Sequence, residues 1–98
     1  MTKAATPERS AAHWLVAGRV QGVGFRWFVC QAAERLGVRG DVRNLRDGRV
    51  EIRVSGSTEL VNALLDEVQR GPSGARVDGV EQLSPDLSIG FRDFGVRR

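Results

Sequence analysis

The chain has 98 residues, 41% apolar and 28% charged, with a net charge of +3 and an isoelectric point near 10.4; that length fills one core and not two, and the basic balance favours anionic partners, whether nucleic acid, acidic lipid or small phosphorylated compounds. One cysteine, Cys30, and one histidine, His13, exclude an internal disulfide framework and a cysteine-rich zinc site, and leave little from which to build a Ser-His-Asp triad. Met1 to Ala12 has no apolar stretch of a signal peptide, and no run approaches the roughly 20 apolar residues of a membrane span, so the expectation is a soluble, cytoplasmic protein in a reducing compartment.

Residues 1–12 are small and polar with Pro7 and mixed charge, and read as a disordered tail ahead of a domain over 13–98. His13 to Ala17 reads as a short buried strand. It runs into Gly18-Arg19-Val20-Gln21-Gly22-Val23-Gly24-Phe25-Arg26, with three glycines in seven residues, and then into a helical pattern. Such a strand-to-helix loop folds tightly, with N–H groups pointing into one concavity, and the free N–H groups of the helix starting near Phe25 extend it into an anion site. Arg26 fits only if an anion is present. A cation in the first helical turn faces the positive end of the helix dipole, and a phosphate held between them removes the conflict.

Phe25, Phe28, Val29, Ala32, Ala33 and Leu36 recur at helical spacing, Gln31, Glu34 and Arg35 take the opposite face, and Gly37 supplies the stop. Val38 to Leu45 reads as a strand with Val38, Val42 and Asn44 on one parity and Arg39, Asp41 and Arg43 on the other. Asp47-Gly48 is a hairpin signal, and Val50, Ile52 and Val54 alternate with Glu51 and Arg53 in the clearest strand of the chain. Ser57 is placed to cap a second helix with Leu60, Val61, Leu64, Leu65 and Val68 on its apolar face, closed by Arg70-Gly71-Pro72. Val77 to Leu83 is a weaker strand, and Phe91 to Val96 a last short one. The order β-α-β-β-α-β plus a terminal strand predicts an α+β fold of the ferredoxin-like split β-α-β kind, a mostly antiparallel sheet with two helices on one face.

The stretch from Gly18 to Arg26 resembles the signature of the acylphosphatases, small ferredoxin-like hydrolases. A second motif of that family, Gly followed by Val-x-Asn and Asp-Gly-x-Val, stands here as Gly40, Val42-Arg43-Asn44 and Asp47-Gly48-Arg49-Val50. Gly71-Pro72, Ala75 and Val77 also fall where the family has a Gly-Pro and small or apolar positions, so the likeness runs from about Leu15 to Val96. It makes 13–98 an acylphosphatase-like domain. Asp41 departs from the pattern, since many members carry an aromatic residue there. Lying on the parity opposite Asn44, it is expected to affect stability more than chemistry.

The resemblance implies hydrolysis of the carboxyl–phosphate anhydride of small acyl phosphates to carboxylate and inorganic phosphate. Loop amides of Gln21, Gly22, Val23, Gly24 and Phe25 would bind the phosphoryl group with the Arg26 guanidinium, meeting the charge that phosphoryl transfer requires. Asn44 would be the second catalytic residue, its amide orienting the attacking water. The substrate is already activated, so no metal or other cofactor is expected, and the sequence clusters no metal ligands. A monomer with no membrane or nucleic-acid partner is expected.

Blander readings stand beside these. A glycine-rich loop can be a tight turn only, Arg26 a solvated charge, and Asn44 a strand-end residue capping the hairpin. The loop lacks the Lys-Ser/Thr of a P-loop, and Trp27 stands where a dinucleotide fingerprint has its third glycine. Trp27 can flank the acyl group or pack at the surface, Arg19 can support the loop or contact phosphate, and Cys30 reads as an inert small residue. The alternatives are a ferredoxin-like nucleic-acid module, disfavoured by a clear strand without aromatics, and a non-catalytic phosphate-binding or carbamoyl-phosphate-processing domain.

Overall fold

The computed structural model describes residues 9–98. In chain order the elements are β1 (Arg9–Arg19), α1 (Phe25–Leu36), β2 (Arg39–Asn44), β3 (Val50–Ser57), α2 (Thr58–Arg70), β4 (Arg76–Leu83) and β5 (Phe94–Val96). They form one five-stranded sheet in the order β4-β1-β3-β2-β5, antiparallel except for the β2/β5 pair. This is the predicted ferredoxin-like α+β architecture.

Strand parity decides what lies beneath the helices. Trp14 and Val16 of β1, Val42 of β2, and Val50, Ile52 and Val54 of β3 are buried with Phe25, Val29, Ala32 and Ala33 of α1 and Val61, Leu64 and Val68 of α2. The register aligns Trp14 and Val42 on either side of Ile52, and Val16 and Asn44 on either side of Val50. Asn44 therefore belongs to the helix-covered face, at the end of its strand.

The other parity builds an ionic lattice on the open face. Glu51, 9% exposed, accepts hydrogen bonds from Arg43 Nε at 2.7 Å and Arg97 Nη2 at 2.6 Å, and its Oε2 lies 2.8 Å from His13 Nε2. Asp41 accepts from Arg53 Nε at 2.9 Å, and Arg97 Nε lies 3.3 Å from it. Burial pushes the Glu51 carboxyl up, but the hydrogen bonds from His13 and Arg43 and the charges of Arg43 and Arg97 outweigh it and hold the group below its usual range.

Two boundaries stand out against the sequence expectation. Residues 9–12, expected in a tail, are the start of β1, where Arg9 to Ala12 pair with Ser57 to Val54. Ser10, Ala11 and Ala12 carry no strand periodicity, and it is the free edge of β3 that recruits them. Residues 1–8 of the expected tail lie outside the described residues. The last strand is shorter than Phe91 to Val96, because Phe91 leaves the sheet edge to lie 5.4 Å beneath the Arg53 guanidinium. Gly40 shows why its position excludes a side chain. Its φ is +150°, and a Cβ there would stand 1.8 Å from the Arg53 carbonyl oxygen.

Candidate active site

Residues 20–24 join β1 to α1, between two buried anchors, Val20 and Phe25. Gly22 and Gly24 adopt φ of +75° and +79°, left-handed conformations that other residues reach only with strain, and Gly24 is the N-cap of α1. No side chain caps this helix and no acid lies in its first turn. The first ladder bond is donated by Phe28 N to the Gly24 carbonyl at 3.0 Å, and residues 21–27 donate no loop or turn hydrogen bond to the backbone. A series of main-chain N–H groups is thereby left at the positive end of α1, as an anion site needs.

Arg26, Asn44, Gly22, Gly24 and Phe25, five of the residues singled out from the sequence, line one cleft of about 450 Å³. Val20, Trp27, Cys30, Val96 and Arg98 complete its wall. Arg26 arrives from the first turn of α1, and Asn44 from the end of β2, eighteen residues later in the chain. The Asn44 Oδ1 is buried and has no hydrogen-bond partner among the described residues, an acceptor left for a donor from the cleft. Arg26 makes no ion pair with any described residue.

Two of the loop residues act differently from their neighbours. Val23 packs its side chain against the core. Gln21 turns its side-chain amide to the β2–β3 hairpin, where Nε2 donates to the Leu45 carbonyl at 2.8 Å and the Arg49 carbonyl at 2.9 Å. That clamp was invisible in the sequence, because nothing in a Gly-rich motif specifies a contact 24 or 28 residues away. Arg98 and Val96 were also missed. Their two-residue spacing at the end of β5 was the available signal, since it puts both on the face of Asn44, while Arg97 between them turns to Glu51.

Cys30, one turn beyond Arg26, is half-buried. Burial and the Glu34 charge raise its pKa, against an opposing effect of Arg26, so the thiolate is disfavoured. His13 lies on the open face with Glu51. Among the described residues no three His, Cys, Asp or Glu side chains gather as a metal would require, and no helix is long and apolar enough to cross a membrane.

The fold and cleft define a class: a ferredoxin-like domain whose first strand-to-helix loop lines one cleft with an arginine on α1 and an asparagine on β2. The family profile of the acylphosphatases matches residues 12–96. The chain is 51% identical to the acylphosphatase of Koribacter versatilis over 93% of its own length and 83% of that protein. It is 52% identical to the acylphosphatase of Pseudomonas paraeruginosa over 92% and 98%. Its structure superposes on the crystal structure of acylphosphatase from Bacillus subtilis with a TM-score of 0.84 and 34% identity, covering 90% of this chain and 98% of that one. The chain belongs to the acylphosphatase family, a family of hydrolases.

Proposed function

We propose that this protein hydrolyses the carboxyl–phosphate anhydride of small acyl phosphates without a metal ion, with Arg26 and Asn44 as its catalytic residues. The observation that carries the reading is that residues far apart in sequence meet in one cleft: Arg26, the amide-rich loop of Gly22 and Gly24, and Asn44 with an unpartnered buried oxygen.

The chemistry follows from charge and geometry. The phosphoryl dianion binds the N–H groups of residues 21–25 and the Arg26 guanidinium, which bring cationic and dipolar charge onto its equatorial oxygens. The Asn44 Oδ1 accepts a hydrogen bond from a water and aligns it for in-line attack on phosphorus. The P–O bond to the acyl group breaks as the new P–O bond forms. The carboxylate leaves as a stable anion, and the proton of the attacking water passes to the phosphate. A weakly basic amide suffices because the leaving group needs no protonation. The enzyme acts in the cytoplasm, since one free cysteine suits a reducing compartment, and as a monomer, the default for so small a domain.

The test is phosphate release from benzoyl phosphate in excess EDTA, for the wild type beside Arg26→Ala. Fast, chelator-insensitive release that is lost in the variant is expected. No release by the wild type overturns the proposal, and release abolished by EDTA overturns its metal independence.

A further inference from the structure

The strand ends around the cleft carry two arginines that the fold itself does not use. Arg19 closes β1 next to Val20 of the cleft wall, and Arg46 sits on the β2–β3 hairpin just beyond Asn44, beside the Leu45 carbonyl that Gln21 holds. Both are exposed, and neither lines the cleft or enters an ion pair with a described residue. The acids nearest them in the chain and the sheet are already taken, Asp47 by Arg49 at 2.8 Å and Asp78 by Arg76 at 2.8 Å. Arg19 also stands directly opposite Arg76 in the β1/β4 register, and like charges opposed across two strands cost stability. No acid lies in the first turn of α1, where Arg26 meets the positive end of the helix. The loops and strand ends around this opening thus hold positive charge that no acid among the described residues answers.

We propose that Arg19 and Arg46 are steering residues: without touching the substrate, their field gathers the dianion at the mouth of the cleft before Arg26 and the loop amides take the phosphoryl group. The inference rests on the hydrolase reading above and adds to it two residues that act on substrate capture and not on the chemical step. The substrate carries two negative charges, so each arginine is felt twice as strongly as by a single carboxylate. A unit charge roughly 10 Å from a dianion in water raises its local concentration about two- to threefold at low salt. The gain appears in KM whether or not encounter limits the rate, because the field raises the population of substrate at the site. Ground state and transition state carry much the same charge when seen from that distance, so kcat does not respond. Arg26 is the contact, and Arg19 and Arg46 supply charge from outside it.

The experiment measures kcat and KM for benzoyl phosphate at about 0.01 M and about 1 M ionic strength, between which the screening length falls from about 30 Å to about 3 Å. The proteins are the wild type, Arg19→Gln, Arg46→Gln, Arg46→Lys and Arg39→Gln. Arg39 is exposed at the end of β2 away from Asn44, so its loss changes the net charge equally but in the wrong place. At low salt Arg19→Gln and Arg46→Gln are each expected to lower kcat/KM about two- to threefold through KM, with kcat and the melting temperature held. At high salt both should match the wild type. Arg46→Lys should keep the wild-type value, since steering uses charge and not the guanidinium fork, and Arg39→Gln should stay close to it. Competitive inhibition by inorganic phosphate should follow the same pattern. Glutamine variants equal to the wild type at low salt overturn the inference and leave the hydrolase reading intact. So does a loss that persists at high salt or falls on kcat, or an equal loss in Arg39→Gln. A wild type that releases no phosphate overturns the hydrolase reading; binding of inorganic phosphate that is indifferent to Arg19 and Arg46 at low salt overturns the steering.

Discussion

The side-chain amide of Gln21 donates to the main-chain carbonyl of Leu45 at 2.8 Å, and again to that of Arg49 at 2.9 Å. Leu45 directly follows Asn44, so this amide fastens the loop beside Arg26 to the hairpin that carries Asn44. Both carbonyls keep a second partner inside the hairpin, Gly48 N on Leu45 and Leu45 N on Arg49. Gln21→Leu therefore removes two donors without stranding an acceptor, and its cost in stability is about 1–2 kcal/mol. Turnover is expected to fall further than stability, on the order of tenfold or more in kcat, because a displaced Asn44 misaligns the water. Gln21→Glu points acceptor at acceptor and should be worse than Gln21→Leu. Steady-state kinetics beside thermal melting checks both.

Arg26→Lys keeps the charge and loses the fork of N–H donors. A loss of kcat on the order of 100-fold is expected, with an unchanged melting temperature, since Arg26 holds no partner among the described residues. Near-native turnover of the lysine variant would remove Arg26 from the phosphoryl site.

Asn44→Ala deletes a buried oxygen that has no partner among the described residues. Stability should change by less than about 1 kcal/mol, because no intramolecular hydrogen bond is lost. The rate constant kcat should fall on the order of 100-fold with phosphate binding retained, the signature of a group that orients water rather than anchors substrate. Parallel loss of stability and activity would make Asn44 a structural residue.

Glu51 predicts the acid limb of stability. Its folded pKa is depressed below the ordinary value of 4.5, so the stabilisation it contributes is present above that value and is lost as pH falls through the lower folded one. Glu51→Gln should flatten this limb. Glu51→Ala strands His13, Arg43 and Arg97 around an emptied position and is expected to cost about 3 kcal/mol. Urea melts at neutral pH and between about pH 5 and pH 3 read both effects.

Glycine substitutions should separate the sheet from the loop. Gly40→Ala drives a Cβ into the Arg53 carbonyl and should prevent folding or cost well over about 3 kcal/mol. Gly24→Ala meets nothing within 4 Å and bears only the left-handed backbone strain, about 1–2 kcal/mol. Its larger effect is expected on phosphate affinity, measured by competitive inhibition.

The alternating Val50, Ile52 and Val54, the helical spacing from Phe25 to Leu36 and the Asp47-Gly48 turn were legible because each is a local periodicity read within a dozen residues. They determined the element order and hence the ferredoxin-like fold. The paired motifs around Arg26 and Asn44 likewise pointed to the family. Strand parity also separates Asn44 and Asp41 onto opposite faces. What only the tertiary structure decided is non-local. Ser10 to Ala12 carry no pattern of their own and become strand through the edge of β3. The Gln21 side chain finds two carbonyls across the molecule, Glu51 gathers His13, Arg43 and Arg97 from three other strands or their ends, and Val96 and Arg98 are carried into the cleft by β5. Each depends on how far strands are displaced when the sheet closes. Propensity and periodicity, which describe neighbours along the chain, hold no information about that displacement.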